Sequence, residues 1–468
     1  MDELVFGTDG WRDIIGDRFT LTNVGRAAQG YAEHLVEGGV ERVLVAHDTR
    51  CNGALFARRV AEVLSANGLE VLLSDGPLPT PVLSFAITHL GAGGGVMLSA
   101  SHNPPRYNGF KLKGPYGGTA TEEIYADVSR RVAGIRPEGV RSPPGRTGFE
   151  QIEVRTAYFR QLASLVDLDA LASLTGVVLH DVMGGAGRGW LSGFVEAFDL
   201  GIRVEQRRGA PDPLFYGVNP EPLPRNLQPL LAELSESRPD ILFATATDGD
   251  GDRLGLVLPG GTFFNSHQIF AILIDLLAGR GGSGRVVKTF TVSRIVERLA
   301  AARNLEVVET PVGFKYIVDA MLAGRVLIGG EESGGIGVAG HIPERDGIAN
   351  SLLLLEAVAR AGVPLSELFA AIERETGWSH AYDRLDLQLG RDRLKSTVMP
   401  DLNDPPGSFA SREVMSVERR DGLKLNLEGN AWVLFRPSGT ESTLRVYCEA
   451  PSPAEVAEIL ANSHLILP

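Results

Sequence analysis

Cysteine is scarce in this sequence: Cys51 and Cys448 are the only two in 468 residues. Two thiols cannot form a disulfide framework, and no Cys and His cluster at metal-ligand spacing accompanies them. Long apolar runs are missing as well. The most apolar stretch, IFAILIDLLAG, is too short for a transmembrane helix and contains Asp275. We therefore expect two inert thiols and no membrane-spanning helix.

A secretory leader and an excess of positive charge are also lacking. The start MDELVFGTDGWRD has neither the basic nor the apolar region of a signal peptide, so a cytoplasmic location is expected. The formal net charge of -13 disfavours nonspecific binding to nucleic acid or to acidic membranes. It leaves room for a local basic pocket that binds a small anion. No feature indicates an obligate protein partner.

Three familiar motifs are absent. A Walker P-loop needs a Gly-Lys pair, and the chain has none. The segment GGAGRG at 184–189 follows a predicted strand, but Trp190 stands where a dinucleotide-binding fingerprint needs its third glycine. Ser101 does not lie in a G-x-S-x-G nucleophile elbow. The signatures of P-loop, dinucleotide-binding and α/β-hydrolase proteins are therefore excluded.

What the chain does contain is a repeated alternation of β-branched runs and amphipathic helices. Three such segments begin at RVLVAHDTR, GVVLHD and GRVVKTF. In the first segment, Phe56, Val60, Val63 and Leu64 fall on one face of the predicted helix. This alternation predicts three α/β domains with mainly parallel sheets, whose sites lie in loops at the carboxyl ends of strands.

The pattern changes after about residue 370. Short strand candidates follow one another at REVMSVE, LKLNL, AWVLFR and TLRVYCEA, and a closing helix is predicted near PAEVAEILANS. Sequential strands joined by turns predict an antiparallel sheet backed by helices, which is an α+β domain. We therefore expect four domains, at residues 1–148, 149–256, 257–371 and 372–468.

The most informative motif is DGDGDRLG, in which Asp248, Asp250 and Asp252 alternate with glycines. Three carboxylates this close repel one another unless a hard cation gathers them, and glycine lets the backbone wrap around the ion. The segment is not an EF-hand, because Arg253 and Pro259 stand where that loop needs Gly and Glu. A solvated acidic turn is the alternative. Mg²⁺ usually keeps positions for phosphate oxygens, so the site also predicts a phosphate ligand.

Two later loops carry polar groups suited to a phosphorylated sugar. In IGGEESGGIG, Glu331 and Ser333 offer acceptors and a hydroxyl on a Gly-rich turn, which suits sugar hydroxyls as well as a plain surface turn. The loop RPSGTES combines a guanidinium, hydroxyls and backbone amides that favour an anion over a simple strand connection. Its candidate residues are Arg436, Ser438, Gly439 and Thr440.

Four motifs occur in one order: SASHNPPRYNGFKLKGPYGG, DGDGDRLG, GGEESGG and RPSGTES. SASHNPP alone could be an ordinary turn. Together, from about Phe6 to Ala450, the motifs resemble the α-D-phosphohexomutase family of phosphoglucomutases and phosphomannomutases. The resemblance implies an isomerase that moves a phosphoryl group between C1 and C6 of a hexose monophosphate.

The resemblance assigns the phosphoryl-carrying role to Ser101. It implies that Mg²⁺ is held by Asp248, Asp250, Asp252 and a phosphoserine oxygen, as a Lewis acid and a template for in-line displacement. It also implies a bound glucose 1,6-bisphosphate intermediate, which acts as an activator because it charges Ser101 with phosphate.

The proton-transfer and phosphate-binding groups follow from the same resemblance. His102 and Lys111 are candidates for proton exchange, since imidazole titrates near neutrality and a lysine pKa can fall beside other cations. Arg253 adds positive charge beside the three carboxylates. Arg12 and Lys288 resemble family positions that line the phosphate region, although each could be an ordinary structural charge.

The remaining assignments concern the substrate. By resemblance, Glu331 and Ser333 recognise sugar hydroxyls, and the phosphate that does not react is anchored by Arg436, Ser438, Gly439 and Thr440. Arg345 lies where many glucose-type members have lysine. Because arginine stays protonated, we expect Arg345 to bind phosphate rather than to donate a proton.

Several functions remain open. TPVGFKYI and HIPERDG resemble glucose-preferring members, and Gly335 stands where dual-specificity members have histidine, so phosphoglucomutase is the first expectation. Phosphomannomutase or dual specificity is the alternative, whereas Glu332 disfavours phosphoglucosamine mutase, which has Gln there. A metal-dependent sugar phosphatase and an inactive phosphosugar-binding protein are alternatives from other classes. A mutase must let its intermediate reorient, so we expect the C-terminal domain to rotate.

Overall fold

Four sheets follow one another along the chain. The computed structural model describes residues 4–7, 9–143, 145, 148–236, 238–388, 405–437 and 443–463. The first three sheets have parallel strands at their centres, and the fourth is antiparallel. We refer to the four sheets with their helices as the first, second, third and fourth units.

The first unit is a six-stranded mixed sheet with helices. Its elements are β1 Trp11–Ile14, α1 Leu21–Glu37, β2 Arg42–His47, α2 Gly53–Ala66, β3 Glu70–Leu73, α3 Thr80–His89, β4 Gly95–Leu98, β5 Tyr107–Lys113, α4 Glu122–Gly134 and β6 Glu150–Gln151. The strand order is β1-β5-β4-β2-β3-β6. Helix α1 begins where the Thr20 side chain accepts a hydrogen bond from the Asn23 N–H, and its apolar face is buried.

The second unit is a five-stranded sheet. Its elements are α5 Arg155–Leu165, α6 Leu168–Ala172, β7 Gly176–Asp181, α7 Trp190–Ala197, β8 Ile202–Arg207, α8 Gln228–Ser235, β9 Ile241–Thr247, β10 Leu254–Leu258 and β11 Thr262–Phe264. The strand order is β11-β10-β9-β7-β8. Strand β7 is parallel to β8 and β9, whereas β10 returns antiparallel to β9. The turn between β9 and β10 is the Asp-rich loop.

The third unit is a four-stranded sheet. Its elements are α9 Ser266–Gly279, β12 Arg285–Thr289, α10 Arg294–Ala302, β13 Glu306–Thr310, α11 Phe314–Leu322, β14 Val326–Gly330, β15 Ile336–Val338, α12 Gly347–Ala361 and α13 Leu365–Thr376. The strand order is β13-β12-β14-β15. Asn265 and Gln268 form a capping box at the start of α9. The turn between β14 and β15 carries Glu331 and Ser333.

The fourth unit is a six-stranded antiparallel sheet. Its elements are β16 Ala381–Gln388, β17 Ser408–Phe409, β18 Arg412–Glu418, β19 Leu423–Leu427, β20 Ala431–Pro437, β21 Thr443–Ala450 and α14 Pro453–Ala461. The strand order is β16-β21-β20-β19-β18-β17. The side chains of Leu425, Val433, Val446 and Ile459 belong to its own hydrophobic core. A smaller cluster of Phe290, Trp432, Leu434 and Tyr447 joins it to the third unit.

The predicted fold class is confirmed, with three α/β units and one unit built on an antiparallel sheet. The four predicted late strands are β18 to β21, and Phe56, Val60, Val63 and Leu64 are all buried on α2. The divisions after residues 148, 256 and 371 remain a proposal. Strand β6 still pairs with the first sheet and β11 with the second, each slightly beyond the expected division. Among the described helices, none has the length and apolar character needed to cross a bilayer.

Candidate active site

Residues from all four units line one cavity of about 420 Å³. Arginine and lysine outnumber acidic residues among the described residues of its wall, although the whole chain carries a net charge of -13. The basic residues are Arg12, Arg18, Arg253, Lys315, Arg345, Arg384, Arg436 and Arg445. This local excess of positive charge suits an anionic ligand.

Ser101 lies at the carboxyl end of β4, where the sheet prediction places a site. Its side chain is fully buried, and Oγ donates a hydrogen bond to Asp248 Oδ2 over 2.7 Å. Its backbone is left-handed, with φ of 52°. A serine in this conformation is held by its surroundings at an energetic cost, as is common at functional sites.

The three aspartates of the Asp-rich loop converge. Ligand atoms of Asp248, Asp250 and Asp252 all lie within 4.8 Å of one another, and the three side chains are buried. Oδ1 of Asp250 and Oδ1 of Asp252 accept no hydrogen bond from the described part of the chain. Because buried carboxylate oxygens normally have partners, these orphaned atoms fit a cation.

The acidity of these groups reflects their crowding. Burial, with the negative charges of Asp252 and Asp250, raises the pKa of Asp248 well above its usual value. Burial likewise raises the pKa of Asp252. For Asp250 burial is outweighed by Lys111, which lowers the pKa below its usual range. A divalent cation would remove this repulsion.

The Asp-rich loop is fixed by the neighbouring units. Thr80, at the start of α3, donates its N–H to the Asp250 carbonyl over 2.8 Å and its hydroxyl to Asp250 Oδ2 over 2.6 Å. Gly347, at the start of α12, donates its N–H to the Gly251 carbonyl over 3.1 Å. The loop therefore depends on the first and third units for its shape.

Lys111 is a buried ammonium within the acidic cluster. Its Nζ lies 2.8 Å from Asp250, 3.2 Å from Asp9 and 3.6 Å from Asp252. Burial alone would lower its pKa, but these three carboxylates raise it above the usual value. The pKa of Lys111 is therefore raised, contrary to the expected fall beside other cations, so the side chain is charged in this arrangement and cannot accept a proton.

His102 has the opposite character. It lines the cavity, and its Nδ1 has no hydrogen-bond partner among the described residues. Burial, with Arg253 and Arg12 nearby, lowers its pKa well below the usual value. The imidazole is therefore neutral at physiological pH and can accept a proton.

The sugar-recognition candidates also reach the cavity. Glu331 and Ser333 both line it, and the Ser333 hydroxyl has no partner among the described residues. Burial raises the pKa of Glu331 to about 7, even though Arg345 favours the ionised form. Both side chains can contact a ligand in the cavity.

Arg345 bridges several of these groups. Its guanidinium lies 2.7 Å from Asp252, 3.4 Å from Asp9 and 3.6 Å from Glu331. Its aliphatic stem crosses directly above Gly335, where any Cβ would overlap the Cδ of Arg345. The absence of a side chain at Gly335 thus gives Arg345 its path to the Asp-rich loop.

The remaining predicted cations divide into two groups. Arg12, Arg253 and Arg436 line the cavity. Arg12 also donates a hydrogen bond to Asn103 Oδ1 over 2.7 Å, in the segment from residue 99 to residue 107 that runs from β4 into β5 and that we call the serine loop. Lys288 is not brought to the cavity wall: its ammonium is buried and pairs with Glu297 and Glu309 at 2.7 and 3.0 Å. Ser438, Gly439 and Thr440 lie outside the described residues.

Sequence reasoning missed several residues of the site. Lys315, Arg384 and Arg445 add positive charge to the cavity wall, and Asp9 and Glu221 add negative charge. Lys315 lies within TPVGFKYI, whose resemblance to glucose-preferring members does not itself indicate a phosphate contact. Arg384 lies on β16, and no sequence pattern around it predicts that its side chain faces the cavity.

Asp48 and Arg50 were also missed. They follow β2 in the stretch HDTR, at the carboxyl end of a parallel strand, which is the signal that could have identified them. Both side chains are buried beneath the serine loop.

Comparison with known proteins agrees with this arrangement. Models of the phosphoglucomutase/phosphomannomutase family match its α/β/α domain I at residues 3–138, domain II at 156–261, domain III at 265–375 and the C-terminal domain at 401–463. A solved structure of a protein from Thermus thermophilus, provisionally named phosphomannomutase, is 44% identical with a TM-score of 0.90, covering 100% of this chain and 99% of that one.

Curated relatives carry three different substrate names. A phosphoglucomutase/phosphomannomutase of Thermococcus kodakarensis is 28% identical over 97% of this chain and 96% of its own length. A phosphoglucosamine mutase of Thermobifida fusca is 30% identical over 96% of this chain and 94% of its own length. The chain belongs to the α-D-phosphohexomutase family, whose members are isomerases that transfer a phosphoryl group within a hexose phosphate.

Proposed function

We propose that this enzyme is a Mg²⁺-dependent phosphoglucomutase. It interconverts glucose 1-phosphate and glucose 6-phosphate through a phosphoserine at Ser101 and a bound glucose 1,6-bisphosphate. The observation that carries the proposal is the 2.7 Å hydrogen bond from Ser101 Oγ to Asp248, within a buried cluster of three aspartates.

The three aspartates and the Ser101 oxygen supply the ligands that Mg²⁺ prefers. The orphaned oxygens of Asp250 and Asp252 are the observation that supports this fit. When bound, the ion would act as a Lewis acid toward the phosphoryl oxygens and neutralise charge that develops during transfer.

The chain's own residues account for the bonds and protons of the transfer. The oxygen of a sugar hydroxyl forms a bond to phosphorus while the bond from phosphorus to Ser101 Oγ breaks. Neutral His102 is the candidate acceptor for the hydroxyl proton, and the Lys111 ammonium is the candidate donor to the Ser101 oxygen. After the bisphosphate turns around, the reverse transfer returns the other phosphoryl group to Ser101.

Glucose is the proposed hexose because TPVGFKYI, HIPERDG and Gly335 resemble glucose-preferring members. Relatives with 28–30% identity carry glucose, mannose and glucosamine names, so the sugar remains a proposal. Glu331 and Ser333 are the proposed contacts for sugar hydroxyls, since both line the cavity.

The decisive experiment follows phosphate on Ser101. Purified protein is incubated with glucose 1,6-bisphosphate, then with glucose 1-phosphate, and intact mass and peptide mapping are recorded at each stage. We expect Ser101 to gain one phosphoryl group and glucose 6-phosphate to form, with Ser101→Ala as the control.

Other outcomes would reject parts of the proposal. A larger kcat/KM for mannose 1-phosphate would make the enzyme a phosphomannomutase. Stoichiometric release of inorganic phosphate without isomerisation would indicate a phosphatase. A protein that neither carries phosphate nor isomerises would be an inactive phosphosugar-binding protein.

A further inference from the structure

The Arg50 side chain lies directly beneath the serine loop, and both of its terminal nitrogens donate hydrogen bonds to that loop. Its Nη2 donates to the carbonyls of Ser101 and Asn103 over 2.7 and 2.6 Å. Its Nη1 donates to the carbonyls of Pro104 and Tyr107 over 2.9 and 2.8 Å. Four carbonyls within seven consecutive residues therefore converge on one planar cation.

Asp48 completes the arrangement on the other side of Ser101. Arg50 Nε donates to Asp48 Oδ2 over 3.2 Å, and the Ser99 hydroxyl donates to the same oxygen over 2.6 Å. Ser99 Oγ in turn accepts the Ser101 N–H over 2.8 Å. The N–H of Ser101 is thus linked to Asp48 through Ser99, and its carbonyl is bound by Arg50.

This double attachment matters because of the Ser101 backbone. Its φ of 52° is unfavourable for serine, so the conformation persists only where the surroundings hold it. The same conformation directs Oγ toward Asp248. One buried ion pair, Asp48 with Arg50, therefore fixes both polar groups of the residue that carries the reactive oxygen.

Phe215, a residue of the second unit, packs against the Arg50 guanidinium. The Phe215 ring centroid lies 4.8 Å from Arg50 Cζ, and the ring is fully buried. The ring also leaves little space beside the Asp-rich loop: a Cβ added at Gly249 would lie 3.3 Å from Phe215 and 2.8 Å from the Ser101 carbonyl oxygen. Phe215 thus lies against Arg50 and the Asp-rich loop at once.

Phe215 is itself in a strained conformation. Phe215 and Tyr216 have φ of 51° and 55°, which bulky residues rarely adopt. Asp212 holds this turn, because its two carboxylate oxygens accept the N–H groups of Leu214 and Tyr216 over 2.9 and 2.8 Å. Backbone strain is therefore concentrated at the residue whose ring lies between Arg50 and Gly249, and strain of this kind is common at functional sites.

We propose that Arg50 is a positioning residue that sets the Ser101 oxygen for phosphoryl transfer, and that Phe215 links its position to that of the Asp-rich loop. This inference rests on the proposed role of Ser101. Arg50 does not line the cavity, so it acts on the reaction through the serine loop and not through the substrate.

Lysine cannot replace arginine in this role. An ammonium is a point charge with three donors, whereas the guanidinium presents five donors in a rigid plane. Arg50→Lys therefore retains the charge beside Asp48 but loses contacts to several loop carbonyls. We expect kcat to fall by about 100-fold, because small displacements of a reacting group have effects of this size. The KM for hexose phosphate should change less than about threefold, since its contacts lie elsewhere.

The matched control is Arg26→Lys. Arg26 is also buried in the first unit and donates to backbone carbonyls, those of Ile135 and Val132, over 2.9 and 3.4 Å. It does not line the cavity. We expect this variant to lose thermal stability and keep kcat. The rate of Ser101 phosphorylation by glucose 1,6-bisphosphate, followed by intact mass well below each Tm, separates positioning from stability.

Two further variants test the same role without changing Arg50. Ser99→Ala removes the partner of the Ser101 N–H, and Phe215→Leu removes the ring beside the guanidinium. We expect each to slow Ser101 phosphorylation by about tenfold with little change in KM. They decide the test if Arg50→Lys does not fold.

The outcomes distinguish this inference from the proposed function. If the unaltered enzyme gains no phosphate on Ser101, the proposed function fails. If it does, and folded Arg50→Lys is phosphorylated at the unaltered rate, the positioning role is overturned while the proposed function stands. Unaltered rates in both Ser99→Ala and Phe215→Leu would also overturn it.

Discussion

Two arginines of this enzyme, Arg50 and Arg384, have opposite kinds of partners. Arg50 donates to four carbonyls of a single loop, none of which can leave without unfolding that loop. Arg384, on β16 of the fourth unit, lines the cavity and pairs with Asp386 at 2.9 Å and with Glu221 of the second unit at 3.3 Å. The partners of Arg50 are therefore fixed, whereas Arg384 can exchange a carboxylate partner for another anion.

The difference separates two tasks of one active site. In the proposed mechanism the Ser101 oxygen must stay in place throughout turnover, and its supports come from backbone groups of the serine loop and from the units around it. A phosphate that must be bound and released needs cations whose carboxylate partners it can replace. Glu221 and Asp386 also connect the second and fourth units, so such an exchange would loosen the contact between them.

The largest expected effect is at Ser101, in the loop that Arg50 holds. Ser101→Ala removes the oxygen that is proposed to accept the phosphoryl group, while the cavity and its cations remain. We expect kcat to fall by about 10⁴-fold or more, as for other covalent nucleophiles. Coupled assay of glucose 6-phosphate formation measures the loss. Residual activity above one per cent of the unaltered rate would contradict the role of Ser101.

The next effect concerns Lys111. Lys111→Met leaves Asp250 without its ion-pair partner and leaves Asp9 and Asp252 with Arg345 as a neighbouring cation, so the free energy of unfolding should fall by about 3 kcal/mol and kcat by about 100-fold. Added Mg²⁺ should raise the Tm of this variant more than that of the unaltered protein, because the ion neutralises the same carboxylates.

Lys113→Met is the control for that comparison. Lys113 forms a buried ion pair with Glu344, outside the Asp-rich loop. Its loss should also lower the Tm, but the Mg²⁺-dependent increase should equal that of the unaltered protein. Equal Mg²⁺ shifts in both variants would contradict a metal site at the three aspartates.

A smaller effect follows from the pKa of Glu331, which burial raises to about 7. Below that pH the carboxyl group is protonated and no longer a strong acceptor for sugar hydroxyls. We expect the KM for glucose 1-phosphate to rise about fivefold as the pH falls from 8 to 6. Glu331→Gln cannot titrate, so its KM should vary only with the ionisation of the substrate phosphate. If KM varies with pH in the same way in the two proteins, Glu331 is excluded as the group whose ionisation controls KM.

The same pKa has a consequence for stability with a definite sign. The folded state holds the Glu331 proton up to about pH 7, whereas the ordinary value is 4.5. The contribution of Glu331 to stability is therefore complete below the ordinary value and is lost as the pH rises toward 7. Glu331→Gln should lack this loss in a series of thermal melts across that range.

The smallest effect is expected at Glu221, a carboxylate partner of Arg384. Glu221→Gln weakens the pairing with Arg384 and Arg225, so the fourth unit should rotate more readily. We expect a change in kcat of no more than about threefold and a larger mean radius of gyration by solution scattering. Identical scattering curves for both proteins, with and without glucose 1,6-bisphosphate, would argue against rotation.

Much of the architecture was predictable because its signals are local. Alternating β-branched runs and amphipathic helices reported the three α/β units, and short sequential strands reported the fourth. The Asp-rich loop was recognisable because three carboxylates in five residues need an explanation wherever they occur.

The supports of the site were not predictable because they depend on distant contacts. In the sequence alone, HDTR resembles a polar turn. Its role depends on the hydrogen bond that Asp48 accepts from Ser99, 51 residues away in sequence, and on the hydrogen bonds that Arg50 donates to the serine loop. Lys288 also depends on contacts that the sequence does not show. It resembles a family position in the phosphate region, and in this structure carboxylates of its own unit pair with its ammonium, which favours the alternative of a structural charge.

The bare backbone at Gly335 has a consequence for how this enzyme can change over evolutionary time. Because the stem of Arg345 runs through the space that any larger residue would need there, a side chain cannot be added at position 335 without displacing the Arg345 stem, which carries the guanidinium that pairs with Asp252. A lineage acquiring a side chain at 335 must first shorten or redirect its neighbour at 345.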